Sequence, residues 1–250
     1  MKKLIAIMLC SVMSVSLVGC STFFETITDS ASEEDVRGKQ ISNKESEEDT
    51  VKENDTEETE TENNETETNE KAFSIGKTDG LVYENEFIGI GCNLESDWRF
   101  YSDEEIKELN NISLELAGED FEKMMEEAEV IYDMYAVSDN EMDNIVFNLE
   151  KANKLLINQL NLRDNLEDTI PMIESGLGNM GYTNLETNLD TITIEGKELD
   201  CLCVSGEING LKLYQKTFPI KCNGYLANVT VTTYDENNID SIIEKFYFVD

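Results

Sequence analysis

The chain has 250 residues, with 54 acidic and 19 basic side chains and a net charge of −35. This balance argues against nucleic-acid binding, because Lys and Arg make most phosphate contacts, and against polybasic attachment to anionic lipids. It permits cationic partners, including divalent ions. The sequence contains no histidine, the commonest general base and the usual partner of a catalytic serine or cysteine. We therefore expect a protein that is not an enzyme, with a hydrolase working through carboxylates or lysine as an alternative.

The first twenty residues are typical of an export signal. Two lysines at positions 2–3 precede an apolar run, Leu4–Leu17, which is shorter than the roughly 20 residues that span a membrane. The run ends in Leu17-Val18-Gly19-Cys20, which resembles the lipobox of bacterial lipoproteins. In that family the cysteine receives a diacylglyceryl group and becomes the new N-terminus. The resemblance implies a signal peptide at 1–19, a lipid on Cys20 and a location on the outer face of the cell membrane.

Residues 21–72 form an acidic, low-complexity segment. They hold 18 acids and 5 bases, and almost no large apolar side chains follow Phe24. A segment of this composition cannot offset the entropy of folding, so we predict a disordered spacer. A neutral flexible chain of this length spans about 40 Å, and like charges extend it. We assign residues 20–79 to the lipid anchor and linker, and residues 80–250 to one folded domain.

The domain is predicted to begin with two short strands and a helix. Leu81–Tyr83 and Ile88–Leu94 are the strands. Ser102, with Glu105 three residues later, is a capping-box pattern that predicts a helix through about Asn110.

The middle of the chain alternates between helical and strand patterns. Apolar residues within Phe121–Ala128 recur at helical spacing. Val130–Ala136 and Asn144–Leu149 are predicted strands, followed by a helix over Leu166–Leu177. Pro171 should lie in the first turn of that helix or kink it.

The last third has the clearest pattern, four strand-like runs separated by glycine turns. Asn-Gly between alternating runs favours a type I′ hairpin turn, so we predict an antiparallel meander. The runs are Leu189–Ile194, Leu199–Ser205, Leu211–Ile220 and Tyr225–Thr233, with turns at Glu195-Gly196-Lys197, Asn209-Gly210 and Asn223-Gly224. A final helical stripe, Ile239, Ile242, Ile243 and Phe246, should lie on the sheet. The predicted class is α+β, an antiparallel sheet with helices packed on it.

Parts of this pattern resemble the PsbP-like family. They are Tyr83–Ile90, then Trp98 shortly before the Ser-Asp-Glu-Glu helix start, and the strand Gly224–Thr233 leading into the terminal isoleucines. The resemblance covers residues 80–248 and implies an α/β/α sandwich. It also implies similarity to lipoproteins of low-GC Gram-positive bacteria that carry acidic tethers. Family members include photosystem II accessory subunits and a Ran-binding transport factor, so the fold does not name a function. No functional residue of the family has a clear match.

One acidic loop has the spacing of a calcium site. Asp139, Glu141, Asp143 and Glu150 occupy positions 1, 3, 5 and 12 of an EF-hand-like loop. Asn144, however, stands where that loop needs glycine, and a predicted strand follows in place of a helix. The simpler interpretation is an acidic hairpin loop with no metal.

Four cysteines lie in the predicted domain: Cys92, Cys201, Cys203 and Cys222. Disulfides are permitted outside the membrane, but alternate residues of one strand, such as Cys201 and Cys203, are poorly placed to pair. A four-thiolate metal site, one bridge, and small buried residues remain alternatives. The spacing is not that of a zinc ribbon.

Two further patterns have both a functional and a structural interpretation. Gly176–Gly181 matches G-x-G-x-x-G by its letters, but it follows a predicted helix, so we interpret it as a helix-ending loop. Tyr132, Tyr135, Tyr214 and Tyr225 could form the floor of a ligand groove, although alternating strand positions favour core packing.

The leading hypothesis is a membrane-anchored, non-catalytic binding or accessory domain without a cofactor. Its expected partners are the membrane, through Cys20, and a protein or cationic ligand, with no nucleic acid. A divalent-cation-binding envelope protein is the second hypothesis, and an unrecognised hydrolase is the third. The sequence predicts no oligomeric state.

Overall fold

The computed structural model describes residues 72–108 and 130–249, in which antiparallel strands predominate. The strands are β1 Lys77–Asp79, β2 Val82–Asn85, β3 Ile90–Asn93, β4 Trp98–Phe100, β5 Ile131–Ser138, β6 Asn144–Lys151, β7 Thr183–Ile194, β8 Lys197–Ile208, β9 Leu211–Cys222, β10 Tyr225–Thr233 and β11 Phe246–Phe248. The helices are α1 at residues 103–108, α2 Lys154–Gln159, α3 Leu162–Asn179 and α4 Ile239–Ile243.

The strands form two sheets. The small sheet has the order β1-β2-β3-β11, and the large sheet has the order β4-β5-β6-β10-β9-β8-β7. Helices pack on this antiparallel framework, so the predicted α+β class is confirmed.

Two-residue turns shape the C-terminal meander, as the glycine pattern predicts. At the β8–β9 turn Ile208 pairs with Leu211, and the residues between them, Asn209 and Gly210, have φ values of 51° and 78°. Positive φ at both positions is the type I′ requirement. The β7–β8 and β9–β10 turns also have positive φ at both central residues.

The small sheet and α4 cover one face of the large sheet, called here the first face. The core between them contains Ile90 of β3, Phe246 of β11 and Ile242 of α4. These side chains pack with Phe147 of β6 and Val229 of β10. Burial of apolar surface, at about 25 cal/mol for each Å², therefore holds the two sheets together.

Helix α3 packs on the opposite, second face. Leu166 and Leu177 of α3 share a buried cluster with Leu202, Leu213 and Leu226 of the large sheet. Since successive residues of a strand point to opposite faces, both faces of the central strands are buried.

The first part of the domain follows the predicted order. Strands β2 and β3 pair antiparallel, and the capping box is formed. The Ser102 backbone N–H donates to Glu105 Oε2 at 2.9 Å, and the Glu105 N–H donates to Ser102 Oγ at 3.3 Å. Strand β1 precedes the domain boundary predicted at residue 80 and pairs with β2.

Helix α3 is longer than predicted. It begins at Leu162, where the Asn161 side chain caps it by accepting from the Arg163 N–H at 3.1 Å. Pro171 is the tenth residue of the helix, so the first of the two predicted alternatives, a place in the first turn, was wrong. Proline deprives the carbonyl of Glu167 of its helical donor. Both residues are exposed, so water can satisfy that carbonyl.

The terminal stripe divides between two elements. Ile239, Ile242 and Ile243 are buried on α4, but Phe246 belongs to β11 and pairs with Cys92. The prediction of a helix through Phe246 was therefore wrong. Helix α4 and strand β11 both place their apolar side chains in the first-face core. The apolar spacing alone therefore did not show where the helix ends. The predicted helix at 121–128 lies outside the described residues, as does Cys20.

Candidate functional site

A groove of about 380 Å³ opens on the first face of the large sheet, beside α4. Strands β7, β8 and β9 form its floor, and the segment from Glu236 to Asp240 forms one wall. Its charged lining residues are Glu186, Asp190, Lys212, Lys216, Glu236 and Asp240.

Strand register brings the floor residues together from distant parts of the chain. Cys203 is paired with Asn188 on one side and with Lys216 on the other. Ser205, two residues further along β8, is paired with Glu186 and Tyr214. The tight hairpin turns fix this register, so they also determine which side chains line the groove.

An ion pair and an aromatic ring organise the wall. Lys216 Nζ lies 2.7 Å from Asp240 Oδ1. Burial lowers the pKa of Lys216, but the hydrogen bond and charge of Asp240 outweigh it, so the pKa is raised. The Tyr214 hydroxyl donates to Glu236 Oε2 at 3.1 Å, and Lys212 Nζ lies 5.0 Å from the Tyr214 ring centroid. The lining has four carboxylates and two ammonium groups. Its net negative charge favours polar ligands that are neutral or cationic.

One thiol lines the floor of the groove, and a second lies buried two residues before it on β8. Cys201 is fully buried, whereas Cys203 is half-buried and lines the groove. The hydrogen bond with Cys201 lowers the pKa of Cys203, and the charge of Lys216 lowers it further against the effect of burial. The same hydrogen bond and burial raise the pKa of Cys201. Cys203 is therefore the more readily ionised thiol of the pair.

A buried polar layer lies on the second face, away from the groove. Thr217 and Thr230 hydrogen-bond across β9 and β10 at 2.9 Å. Asn228 is fully buried, and among the described residues neither polar atom of its side chain has a hydrogen-bond partner. Glu150 is 2% exposed, and burial raises the pKa of its carboxyl to about 8. This layer costs stability, because desolvated polar groups without partners are unfavourable.

The acidic loop does not bring its four candidate ligands together. Asp143 accepts from Thr233 Oγ1 at 2.6 Å, and Glu150 lies seven residues further on along β6. At about 3.3 Å per residue, their Cα atoms are roughly 23 Å apart. Asp139 and Glu141 lie in the turn before Asp143, and Glu141 has a φ of 58°. Within 72–108 and 130–249, no three Cys, Asp or Glu side chains are placed to hold a metal ion.

The remaining cysteine and glycine candidates have structural roles. All four described cysteines are free thiols. Cys92 is in the first-face core, where burial raises its pKa to about 12, and Cys222 donates to the Phe87 carbonyl at 2.6 Å. The motif Gly176–Gly181 covers the end of α3, and its last glycine has a φ of 93° just past the helix. It ends a helix, as predicted.

Of the four tyrosines considered from the sequence, Tyr214 lines the groove. Tyr225 stacks on Phe73, and Tyr135 packs against Tyr101 with ring centroids 4.5 Å apart. Tyr132 packs at the edge of the second-face core.

The groove itself was missed at the sequence level. Its charged residues come from three strands, from the loop before α4 and from α4 itself, and none forms a local motif. The available signal was the register implied by the Asn-Gly turns, which places Lys216 opposite Cys203.

Within the described part of the chain, no helix is both long and apolar enough to cross a membrane. No family model matches the chain, and no curated protein matches it. It is similar to a solved structure from Bacteroides thetaiotaomicron, with 11% identity and a TM-score of 0.35 over 65% of this chain and 46% of that one. The chain thus spans about half the length of that protein.

The chain is also similar to LpqN, described as involved in cell envelope biogenesis of Mycobacterium tuberculosis. The identity is 14% and the TM-score 0.34, over 64% of this chain and 83% of LpqN. A Pseudomonas aeruginosa protein of unknown function, PA94, matches with 14% identity and a TM-score of 0.25, over 36% of this chain and 58% of that one. These likenesses are too distant to assign a family or a function.

Proposed function

We propose that this chain is an exported bacterial lipoprotein that presents a non-catalytic binding or accessory domain at the outer face of the cell membrane. The observation that carries the proposal is Leu17-Val18-Gly19-Cys20 at the end of an apolar run behind two lysines. A diacylglyceryl group on Cys20 would supply two acyl chains, and two chains anchor stably where one is marginal.

The acidic segment after Cys20 fits the role of a spacer. Its composition predicts a chain that extends about 40 Å or more, which would hold the domain away from the membrane surface. The resemblance to PsbP-like lipoproteins of Gram-positive bacteria supports an accessory role in the envelope.

The groove beside α4 is the proposed binding surface. It combines hydrogen-bonding side chains, one aromatic ring and a net negative charge, and together these suit a polar ligand that is neutral or cationic. The chain has no histidine, and the Lys216 ammonium is engaged by Asp240. Binding is therefore favoured over hydrolysis. The cation-binding alternative rests only on net charge, since the acidic loop is too extended to surround an ion.

Replacement of the lipobox cysteine tests the anchor. Cells expressing the full chain are fed an alkyne fatty acid, and the purified chain is checked for label and for removal of the signal. We expect Cys20→Ser to stay unlabelled and uncleaved by the lipoprotein peptidase. Cys10→Ser, a matched change within the apolar run, should be labelled and cleaved normally. Equal labelling of both variants would disprove the lipid anchor.

Photocrosslinking on intact cells tests the groove. A benzophenone amino acid replaces Tyr214 in the groove or, as the control, the exposed Asp168 on α3. We expect a saturable adduct from position 214 and not from 168, because these positions lie on opposite faces of the large sheet. No adduct at 214, or equal adducts at both positions, would contradict a binding role for the groove.

A further inference from the structure

Cys203 at the floor of the groove and the buried Cys201 form a pair of neighbouring thiols on β8. They are alternate residues of β8, so they share one face of the strand. Cys201 lies in the first-face core and Cys203 packs against it, and both are free thiols. Cys203 lines the groove, while Cys201 is fully buried behind it. An ion entering the groove would meet Cys203 first and could then be shielded by Cys201.

The spacing of the pair disfavours a disulfide and suits a bridging ion. Alternate residues of a strand have Cα atoms about 6.7 Å apart with parallel side chains, which is the upper limit of what a disulfide spans. Metal–thiolate bonds of about 2.3 Å hold two sulfurs about 4.6 Å apart on opposite sides of an ion. Because both side chains leave the same face of β8, rotating them toward each other can bring the sulfurs to that separation.

The ligand set selects the kind of ion. Zinc requires four ligands and calcium six or more oxygens, and no third Cys, Asp or Glu joins the pair to form a metal-holding group in the described segments. Two thiolates alone suit a soft monovalent ion such as Cu(I). A Cu(I) ion bound by two thiolates has a net charge of −1. Lys216, the cross-strand neighbour of Cys203, provides a positive charge there, and Asp240 holds it in place.

We propose that Cys201 and Cys203 bind one Cu(I) ion between their sulfurs, with the Lys216 ammonium on the neighbouring strand as a partial counter-charge. Two sulfur–copper bonds form, any proton still on either sulfur leaves to water, and copper remains Cu(I), so no electron is transferred. This site goes beyond the proposed binding function, because it requires neither the lipid nor an envelope ligand.

Competition with a coloured Cu(I) chelator, bicinchoninate, tests the site under anaerobic, reducing conditions. The full chain carries Cys10→Ser and Cys20→Ser in all samples, so the result does not depend on lipidation. We expect the chain to remove one equivalent of Cu(I) from the chelator and to show ultraviolet thiolate-to-copper absorption. A folded chain that removes no Cu(I) would overturn the proposal.

Three further variants separate this site from the other thiols. Cys203→Ser should abolish the one-equivalent binding, whereas Cys222→Ser, a matched change at another partly buried thiol, should retain it. Lys216→Gln should weaken binding about tenfold, because a nearby compensating charge is lost. Circular dichroism checks that each variant is folded. Binding that survives Cys203→Ser, or that is lost in a folded Cys222→Ser chain, would show that copper binds elsewhere.

Discussion

Asp133 shows how a single residue joins the two sheets. It lies at a register shift in β5 between Tyr132 and Met134, so it has no paired residue on the neighbouring strand β6. Its carboxylate accepts from the Gly76 N–H at 2.8 Å, from Asn85 Nδ2 at 2.6 Å and from the Tyr83 hydroxyl. The Asp133 carboxylate on the large sheet therefore binds both the small sheet and the segment that precedes the small sheet.

We expect Asp133→Ala to lower the free energy of unfolding by about 2–4 kcal/mol, because it leaves the buried Tyr83 hydroxyl and Asn85 amide without their acceptor. Urea unfolding followed by tryptophan fluorescence measures the change. The matched substitution at the exposed Asp139 should alter stability by less than about 0.5 kcal/mol. Similar losses in both variants would show that Asp133 is not a junction between the sheets.

Glu150 should make stability depend on pH. Burial raises the pKa of its carboxyl to about 8 in the folded chain, whereas an unfolded glutamate titrates near about 4.3. Between these values the folded chain keeps a proton that the unfolded chain has lost. Glu150 therefore makes stability fall as the pH rises through this window, by about 1.4 kcal/mol per unit, and has no further effect above about pH 8.

Glu150→Gln removes this ionisable group, and the difference in Tm between variant and parent isolates its effect from all other titrations. We expect the Tm values of the variant and the parent to be closest near pH 4. As the pH rises to 8, the Tm of the variant should exceed that of the parent by an increasing amount. Calorimetry at several pH values provides the measurement. A Tm difference that stays constant with pH would contradict the raised pKa of Glu150.

Among the elements, the hairpin turns specify the sheet most directly. Gly210 has a φ of 78°, in the region that residues with a Cβ atom rarely adopt. Gly178 lies exposed near the end of α3, and a Cβ added there would meet nothing within 4 Å. The same substitution should therefore have opposite effects at the two positions.

We expect Gly210→Ala to destabilise the fold by about 1–2 kcal/mol, and Gly178→Ala to stabilise it by up to about 0.5–1 kcal/mol. Thermal unfolding of the two variants beside the parent chain tests both signs. A loss of stability of equal size in both would mean that backbone conformation does not govern the difference.

Local signals explain which elements could be predicted. The type I′ turns and the Ser102–Glu105 capping box are encoded within two to four residues, and both are present. Strand β1 was missed because all three of its residues are exposed and polar, so only its pairing with β2 makes it a strand. The start of α3 was missed because the apolar spacing begins at Leu166, whereas the Asn161 cap starts the helix at Leu162.

The candidate site could be predicted only in part for the same reason. The sequence identified Tyr214 as a candidate groove residue, and strand alternation places Cys201 and Cys203 on one face. The sequence did not predict the Lys216–Asp240 ion pair, because this pair joins β9 to a helix 24 residues away. Such pairings depend on how the chain returns over the sheet, which no local pattern specifies.

At the scale of the whole molecule, residues 72–80 join the predicted linker to the folded domain. Phe73 stacks on Tyr225 with ring centroids 4.7 Å apart and meets Phe87 edge-on at 5.3 Å. Strand β1 then adds an edge to the small sheet. Aromatic contacts, backbone pairing and the Asp133 hydrogen bond hold this segment. A force applied through the linker would therefore act first on strand β1.

Two truncated chains test where the domain begins, one starting at residue 72 and the other at residue 80. Both should unfold cooperatively, because both large core clusters lie after residue 80. The chain from residue 80 lacks the Phe73 stack, strand β1 and the Gly76–Asp133 hydrogen bond, so we expect it to be less stable by about 2–3 kcal/mol. Urea midpoints with matched slopes measure this difference. Equal midpoints would mean that residues 72–79 contribute nothing to the fold, and loss of cooperativity in the shorter chain would place them within the essential core.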